Sequence, residues 1–395
     1  MARKYVVLRS HREPESATRG ARVGPSGAAV EAPPLTSVGV EVMDPRSAAR
    51  ARSDSDFECA APSMPMKLIA PAAVAAEPLA PVVNGVAWGI RAVGADTSPF
   101  DGAGIVVAVL DTGIDASHPA FAGVELVQKD FTGDGNGDEH GHGTHCAGTI
   151  FGRDVNGTRI GVARGVTKAL IGKVLGSNGG GSENIASAIQ WAIDNGANVI
   201  SMSLGIDFPG YQAALQAEGL KPEPATSIAL EGYRLNVQLF DRLASLVSTL
   251  GVFRQPCLLV AASGNESGRD QVPAYEIAAS PPAVSDGFIA VAALEEGTNG
   301  HRVAAFSNTG VALAGPGVAV MSAKAGGGLV AFSGTSMATP HVAGVAALWA
   351  QKLKASGNFS VKQFTTNVLA SAVRTGLDPT SEAEAVGAGI VRAPQ

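Results

Sequence analysis

Apolar residues along this chain fall into two patterns. The runs Ile105-Val-Val-Ala-Val-Leu110 and Leu258-Leu-Val-Ala-Ala262 are unbroken, and Ala197-Asn-Val-Ile-Ser-Met-Ser-Leu-Gly205 is nearly so. Strands covered on both faces of a parallel sheet need such runs. Elsewhere the apolar positions recur at helical spacing. Met337, Val342, Val345, Ala346 and Trp349 do so after Ser336, with Pro340 in an early turn that can do without its N–H. Within Ala225 to Val252, Leu230, Tyr233, Leu235, Val237, Leu239, Phe240, Leu243, Leu246 and Val247 predict a second helix.

The first 85 or so residues read differently. Tyr5-Val-Val-Leu8 and Val38-Gly-Val-Glu-Val-Met43 predict short strands, separated by a Gly/Ala/Pro-rich middle from Arg19 to Pro34. Ala60 to Val83 is rich in alanine and proline and is expected to resist regular structure. Residues 1–85 are therefore expected to be a small module plus a linker, and residues 86–395 the main domain. Between these patterns, Ile206 to Pro224 carries Pro209, Pro222 and Pro224 and predicts a surface loop, with Tyr211 placed to overhang a neighbouring cleft.

Composition fits a large α/β domain, with 46% hydrophobic and 16% charged residues among 395, and 49 glycines to make tight loops. A net charge of -6 without a basic cluster gives nucleic-acid binding no support. No run approaches the length of a membrane span. Only Tyr5 to Leu8 are apolar between the first basic residues and Arg9, short of a secretion signal, and Cys59, Cys146 and Cys257 are odd in number and widely spaced. Reduced thiols and a cytoplasmic location are the expectation.

Three segments carry candidate chemistry. Ser336 lies in Ser333-Gly-Thr-Ser-Met-Ala-Thr-Pro-His-Val-Ala-Gly344, at the start of a predicted helix whose free N–H groups and dipole stabilise negative charge. Asp111 ends the apolar run 105–110, the usual position for site residues in an open α/β sheet. His142 opens a helix in Gly141-His-Gly-Thr-His-Cys-Ala-Gly148. A hydroxyl to attack, an imidazole to carry its proton and a carboxylate to orient the imidazole are the parts of a catalytic triad.

The motifs DTGIDASHPAF, HGHGTHCAG and SGTSMATPHVAG together resemble those of the subtilases, the subtilisin-like serine peptidases. The order Asp, His, Ser is that of subtilisin itself. The resemblance runs from about Trp88 to Val391, and Cys146 and the "ASHP" run are most similar to the proteinase K branch. It implies a three-layer α/β/α subtilisin-like fold with a mainly parallel central sheet, and a serine endopeptidase, of broad specificity, acting through an acyl-enzyme. Asn265, in a Gly-Asn turn after Leu258–Ala262, takes the family's oxyanion-binding position beside the N–H of Ser336. Ser203, Leu204 and Gly205 take the position that pairs with substrate backbone, and Ala262, Ser263 and Gly264 line the pocket for the residue before the scissile bond, with Glu266 at the rim able to accept a basic group. His118, His145 and His341 are packing residues in this pattern, and Cys146 lies beneath the active histidine.

The resemblance also implies that residues 1–85 are a prodomain, the alternative being a disordered extension. It implies no cofactor for the chemistry, while a structural calcium is expected at Asp154 and Asn156; the acidic loop Asp130 to Glu139 is expected to be solvated, lacking the EF-hand's terminal glutamate spacing. The expected partner is a protein or peptide substrate, with no nucleic acid and no membrane. An α/β-hydrolase esterase is excluded, since His142 precedes the serine and Gly334-Thr-Ser-Met-Ala338 lacks the second glycine of its elbow. A catalytically silent subtilase acting as a binding or scaffold module is the remaining alternative.

Overall fold

The computed structural model describes residues 2–11, 35–54, 56–72 and 82–395. The apolar runs form one twisted sheet. Its strands lie in the order Arg302–Val303, Phe288–Glu295, Leu258–Ala262, Val199–Met202, Val106–Asp111, Lys168–Lys173, Glu125–Asp130, with Leu313–Pro316 also pairing with Phe288–Glu295. Apart from Arg302–Val303, neighbouring strands are parallel. One face is covered by the helices His142–Phe151 and Thr335–Ala355, the other by Ser182–Asp194 and Pro222–Phe253. Burial on both faces explains why these strands lack polar alternation. This is the expected three-layer α/β/α arrangement.

The N-terminal strands are longer than expected, Arg3–His11 and Leu35–Met43, and they pair antiparallel. Helix Pro45–Ala51, capped by Asp44 accepting from the N–H groups of Arg46 and Ser47, follows them. The Ala/Pro-rich stretch departs from expectation. Phe57–Pro62 is a third strand on Arg3–His11, and Pro65–Leu68 is a fourth, inserted between Leu204–Ile206 and Gly180–Gly181. Pro62 ends one strand and Pro65 begins the next, positions where a missing N–H costs little, so tertiary pairing overrides the local bias. The Arg19 to Pro34 middle and linker residues 73–81 lie outside the described residues.

The predicted loop 206–224 is also more regular than its prolines suggest. Phe208–Ala217 is a helix in which Asp207 accepts from the N–H of Gly210 and Pro209 occupies the first turn, where proline is tolerated. Pro222 likewise begins the 32-residue helix Pro222–Phe253.

Candidate active site

Three elements converge at the C-terminal edge of the sheet. Strand Val106–Asp111 ends at Asp111, helix His142–Phe151 begins at His142, and Ser336 is in the first turn of helix Thr335–Ala355. Asp111 Oδ1 is 2.8 Å from His142 Nδ1, with both side chains buried. Gly143 permits the approach: a Cβ there would lie 2.2 Å from the carbonyl oxygen of Gly113 and 3.2 Å from Asp111 Cβ. Burial pushes the imidazole toward neutrality, but the adjacent Asp111 charge prevails and holds the His142 pKa well above its ordinary value. Cys146, also buried, lies 3.8 Å from His142 Nδ1 and 3.4 Å from the Ser336 carbonyl oxygen. Desolvation raises its thiol pKa, so it packs under the histidine as a neutral group.

Asn265 lies just beyond strand Leu258–Ala262, and its Oδ1 accepts from the N–H and hydroxyl of Thr335, both at 2.9 Å. Those bonds turn the amide nitrogen toward the cleft. Gly334 leaves the room, since a Cβ there would sit 2.9 Å from Asn265 Nδ2. Ser203 Oγ donates to the carbonyl of Ser336 at 3.2 Å, tying the strand beside the cleft to the serine's helix.

The cleft is filled by the chain itself. Lys67 lies opposite Gly205 and Leu68 opposite Leu204 in antiparallel register, while the Ile69 N–H points to the Ser203 carbonyl at 3.5 Å. Ile69 Cδ1 lies 3.8 Å from where a Cβ on Gly205 would be. Ser336 Oγ donates to the Ile69 carbonyl at 2.8 Å, and Asn265 Nδ2 donates to the Ala70 carbonyl at 2.8 Å. Beyond them, the Ala72 N–H donates to the Ser333 carbonyl at 2.7 Å. His142 Nε2 has no hydrogen-bond partner among the described residues. With this segment seated, His142 and Ser336 are each 0% exposed, so no second peptide reaches them.

The expected pocket residues divide. Ser203, Leu204 and Gly205 meet the segment directly, and Ala262, Ser263 and Gly264 lie buried at the strand end and turn that lead into Asn265. Glu266 does not face Ile69. Its carboxylate turns to Lys67, with Oε1 3.4 Å from the ammonium, a contact sequence order could not show because it depends on strand register.

The expected calcium ligands do not form a cradle. Both oxygens of Asp154 lie 3.3 Å from Arg164 Nη1, and Asn156 occupies a left-handed turn at φ 49° between the bridged Val155 and Thr158. A carboxylate already paired with a guanidinium, and belonging to no cluster of three acidic, His or Cys side chains among the described residues, does not fit calcium. The acids of the 130–139 loop fold it instead. Asp138 accepts from Thr144, Gly141 and Thr112; burial opposes its ionisation, but these bonds prevail and keep its carboxyl below the usual range. His118, His145 and His341 each bond a backbone carbonyl, those of Gly328, Val320 and Met337. Desolvation depresses His145 to about 3 and His341 to about 4.

Residues 102–389 match the Subtilase family. The chain belongs to it. M-protease of Shouchella clausii is 35% identical over 322 residues, covering 79% of this chain and 70% of that protein, and Subtilisin Savinase of Lederbergia lenta is 35% identical over 318 residues, covering 78% and 97%. Among solved structures, sphericase superposes with a TM-score of 0.58 at 29% identity, over 80% of this chain and all of that one. This subtilase is a serine endopeptidase, hydrolysing peptide bonds and needing no catalytic cofactor. No helix among the described residues is long and apolar enough to cross a membrane.

The relatives overturn the expectation of a cytoplasmic location. They are secreted, extracellular subtilisins, and they point to secretion. The thiol argument fails for a physical reason as well. Cys59, Cys146 and Cys257 are all buried, so their remaining unpaired reports shielding rather than compartment.

Proposed function

We propose that Ser336, His142 and Asp111 are the catalytic triad of this endopeptidase, with Asn265 as oxyanion donor, and that residues 1–69 are a prodomain that inhibits the site until it is cut. The single observation carrying this reading is the Ile69 carbonyl held by Ser336 Oγ, on a strand whose register with Leu204–Ile206 is that of a bound peptide. In the reaction, Ser336 Oγ adds to a peptide carbonyl while His142 Nε2 takes its proton. Asp111 holds the Nδ1 proton in place, and the Asn265 amide and the Ser336 N–H receive the oxyanion. The C–N bond breaks as His142 returns the proton to the amine, leaving an ester on Ser336. Water then attacks through the same base and releases the acid.

By the strand register, the bond presented is Ile69–Ala70; for its cleavage the Asn265 amide must exchange the Ala70 carbonyl, which it holds while the segment is docked, for that of Ile69. The module is anchored around it: Met64 and Ser182 exchange backbone and side-chain hydrogen bonds, Ser63 Oγ bonds Glu183, and Asn236 Nδ2 donates to the Pro62 carbonyl at 2.8 Å. Main-chain pairing favours acceptance of many sequences. Cys146 and the ASHP run support a placement near the proteinase K branch, while the aligned relatives are alkaline proteases and subtilisins.

Purified protein should show a new N-terminus at Ala70, and the Ser336→Ala protein should stay uncut. A fluorophosphonate probe should label the wild type and not the variant. Processing of the isolated Ser336→Ala protein at the same rate would refute self-cleavage, and unimpaired peptide turnover by it would refute the triad. Labelling also decides against the silent-scaffold alternative, which predicts none.

A further inference from the structure

Lys67 stands third from the Ile69–Ala70 bond, and its side chain reaches two acids, Asp207 just after Leu204–Ile206 and Glu266 beside Asn265. Its ammonium lies 3.4 Å from Glu266 Oε1 and 3.6 Å from Asp207 Oδ1. Neither acid is free to swing. Asn308 Nδ2 donates to Glu266 Oε2 at 2.8 Å while Asn308 Oδ1 accepts from the Glu266 N–H, and Asp207 is fixed as the cap of helix Phe208–Ala217. Lys67 and Glu266 border a cavity of about 390 Å³ whose apolar wall is Ile206, Phe208, Pro209, Leu230, Tyr233 and Ile277. An apolar wall bordered by Glu266, with Asp207 also within reach of the ammonium, suits a side chain with a long hydrocarbon stem and a cationic end.

We propose that Asp207 and Glu266 form a specificity subsite selecting lysine or arginine at the third residue before the scissile bond. This rests on the triad reading above and on the register that places Lys67 opposite Gly205. The preference belongs to substrates in general, and Lys67 is the chain's own example of it. The acids lie at the surface, so the preference is moderate and sensitive to salt.

The test uses the protein as purified after full-length expression and self-processing at Ala70, with rates expressed per serine titrated by a fluorophosphonate probe, and peptides identical except for Lys, Gln or Glu at that position. The expected kcat/KM order is Lys over Gln over Glu, with about five- to tenfold between Lys and Gln at low salt. That ratio should shrink toward one in 1 M salt. Glu266→Gln should reduce it by about half or more, and Glu266→Lys should favour the Glu peptide. Glu266 is exposed, so these variants keep the fold even if Asp207→Asn loosens its helix cap. Equal rates for the Lys and Gln peptides, or a ratio unmoved by salt and by both Glu266 variants, would overturn the subsite. In that case hydrolysis of the Gln peptide that vanishes in Ser336→Ala would leave the triad reading standing. Absence of any hydrolysis or labelling would overturn both.

Discussion

The sheet of the peptidase domain and the sheet of the N-terminal module bury their residues in opposite ways. Strands such as Leu258–Ala262 are buried at every position because helices of the same domain cover both faces. In the module, Arg3–His11 alternates. Tyr5 and Val7 pack with Ala48, Ala51 and Ala60 in a small core of its own, while Val6 and Leu8 join the peptidase side with Ala61, Met64, Leu235 and Leu239. Its edge strand Leu35–Met43 leaves Val40 and Val42 45% and 71% exposed. One domain completes its own core, and the other borrows half of its core from the domain it covers. A unit built that way holds firmly while docked and has little to hold it folded once released.

The sharpest test of this contrast lies at the peptidase side. Ser336→Ala or His142→Ala should each cut peptide turnover by about a million-fold, the scale known from subtilisin, and the double variant should be no worse than either, because the triad acts as a unit. Asn265→Ala should lower kcat about 100- to 1000-fold, again the subtilisin magnitude, with little change in KM. A double variant far worse than the singles would break the first expectation, and a loss confined to KM the second.

On the module side, Leu8→Ala should remove about 2–5 kcal/mol from the shared core. Measured by denaturant unfolding in the Ser336→Ala protein, the loss should appear in the module's transition; added in trans, residues 1–69 carrying Leu8→Ala should inhibit the processed enzyme more weakly than the unaltered fragment. Unchanged inhibition would show that the cleft segment alone holds the module.

Acid should act on the peptidase core. His145 has its folded pKa depressed to about 3, so below about pH 6.5 the unfolded chain takes a proton that the folded chain refuses. Stability from this group is present at pH 7 and falls by about 2 kcal/mol at pH 5. His142 runs the other way: its folded pKa is raised, and its contribution is full below about pH 6.5 and lost as pH rises through the folded value. His145→Gln in the Ser336→Ala protein should therefore flatten the decline between pH 7 and 5, and an unaltered slope would show that another group carries it. The smallest effect belongs to Arg52→Ala, whose exposed pair with Glu231 at 3.8 Å should be worth under about 1 kcal/mol in module docking.

Most of the peptidase domain is legible in the chain because its signals are local. An apolar run announces a covered strand, a glycine marks a close approach, and the motifs around Asp111, His142 and Ser336 sit where strands end and helices begin. The Ala/Pro-rich stretch misled for the converse reason. Nothing within residues 60–72 favours a strand, and Pro65–Leu68 becomes one because Leu204–Ile206 and Gly180–Gly181 offer open edges on both sides. The helix at Phe208–Ala217 hid behind Pro209, which belongs to its start, and behind Pro222 and Pro224, which begin the next helix.

The sequence by itself determined the fold class and the family, and it nominated the reacting groups, since all three depend on residue type and on short-range spacing. Tertiary structure alone decided which backbone lies across Ser336, that Glu266 answers Lys67 rather than Ile69, and that Asp154 is claimed by Arg164. Each of these depends on register or on charges brought together from distant parts of the chain. A one-residue shift of Pro65–Leu68 would present a different bond to Ser336 and turn Lys67 to the other face of its strand, without altering a single local signal.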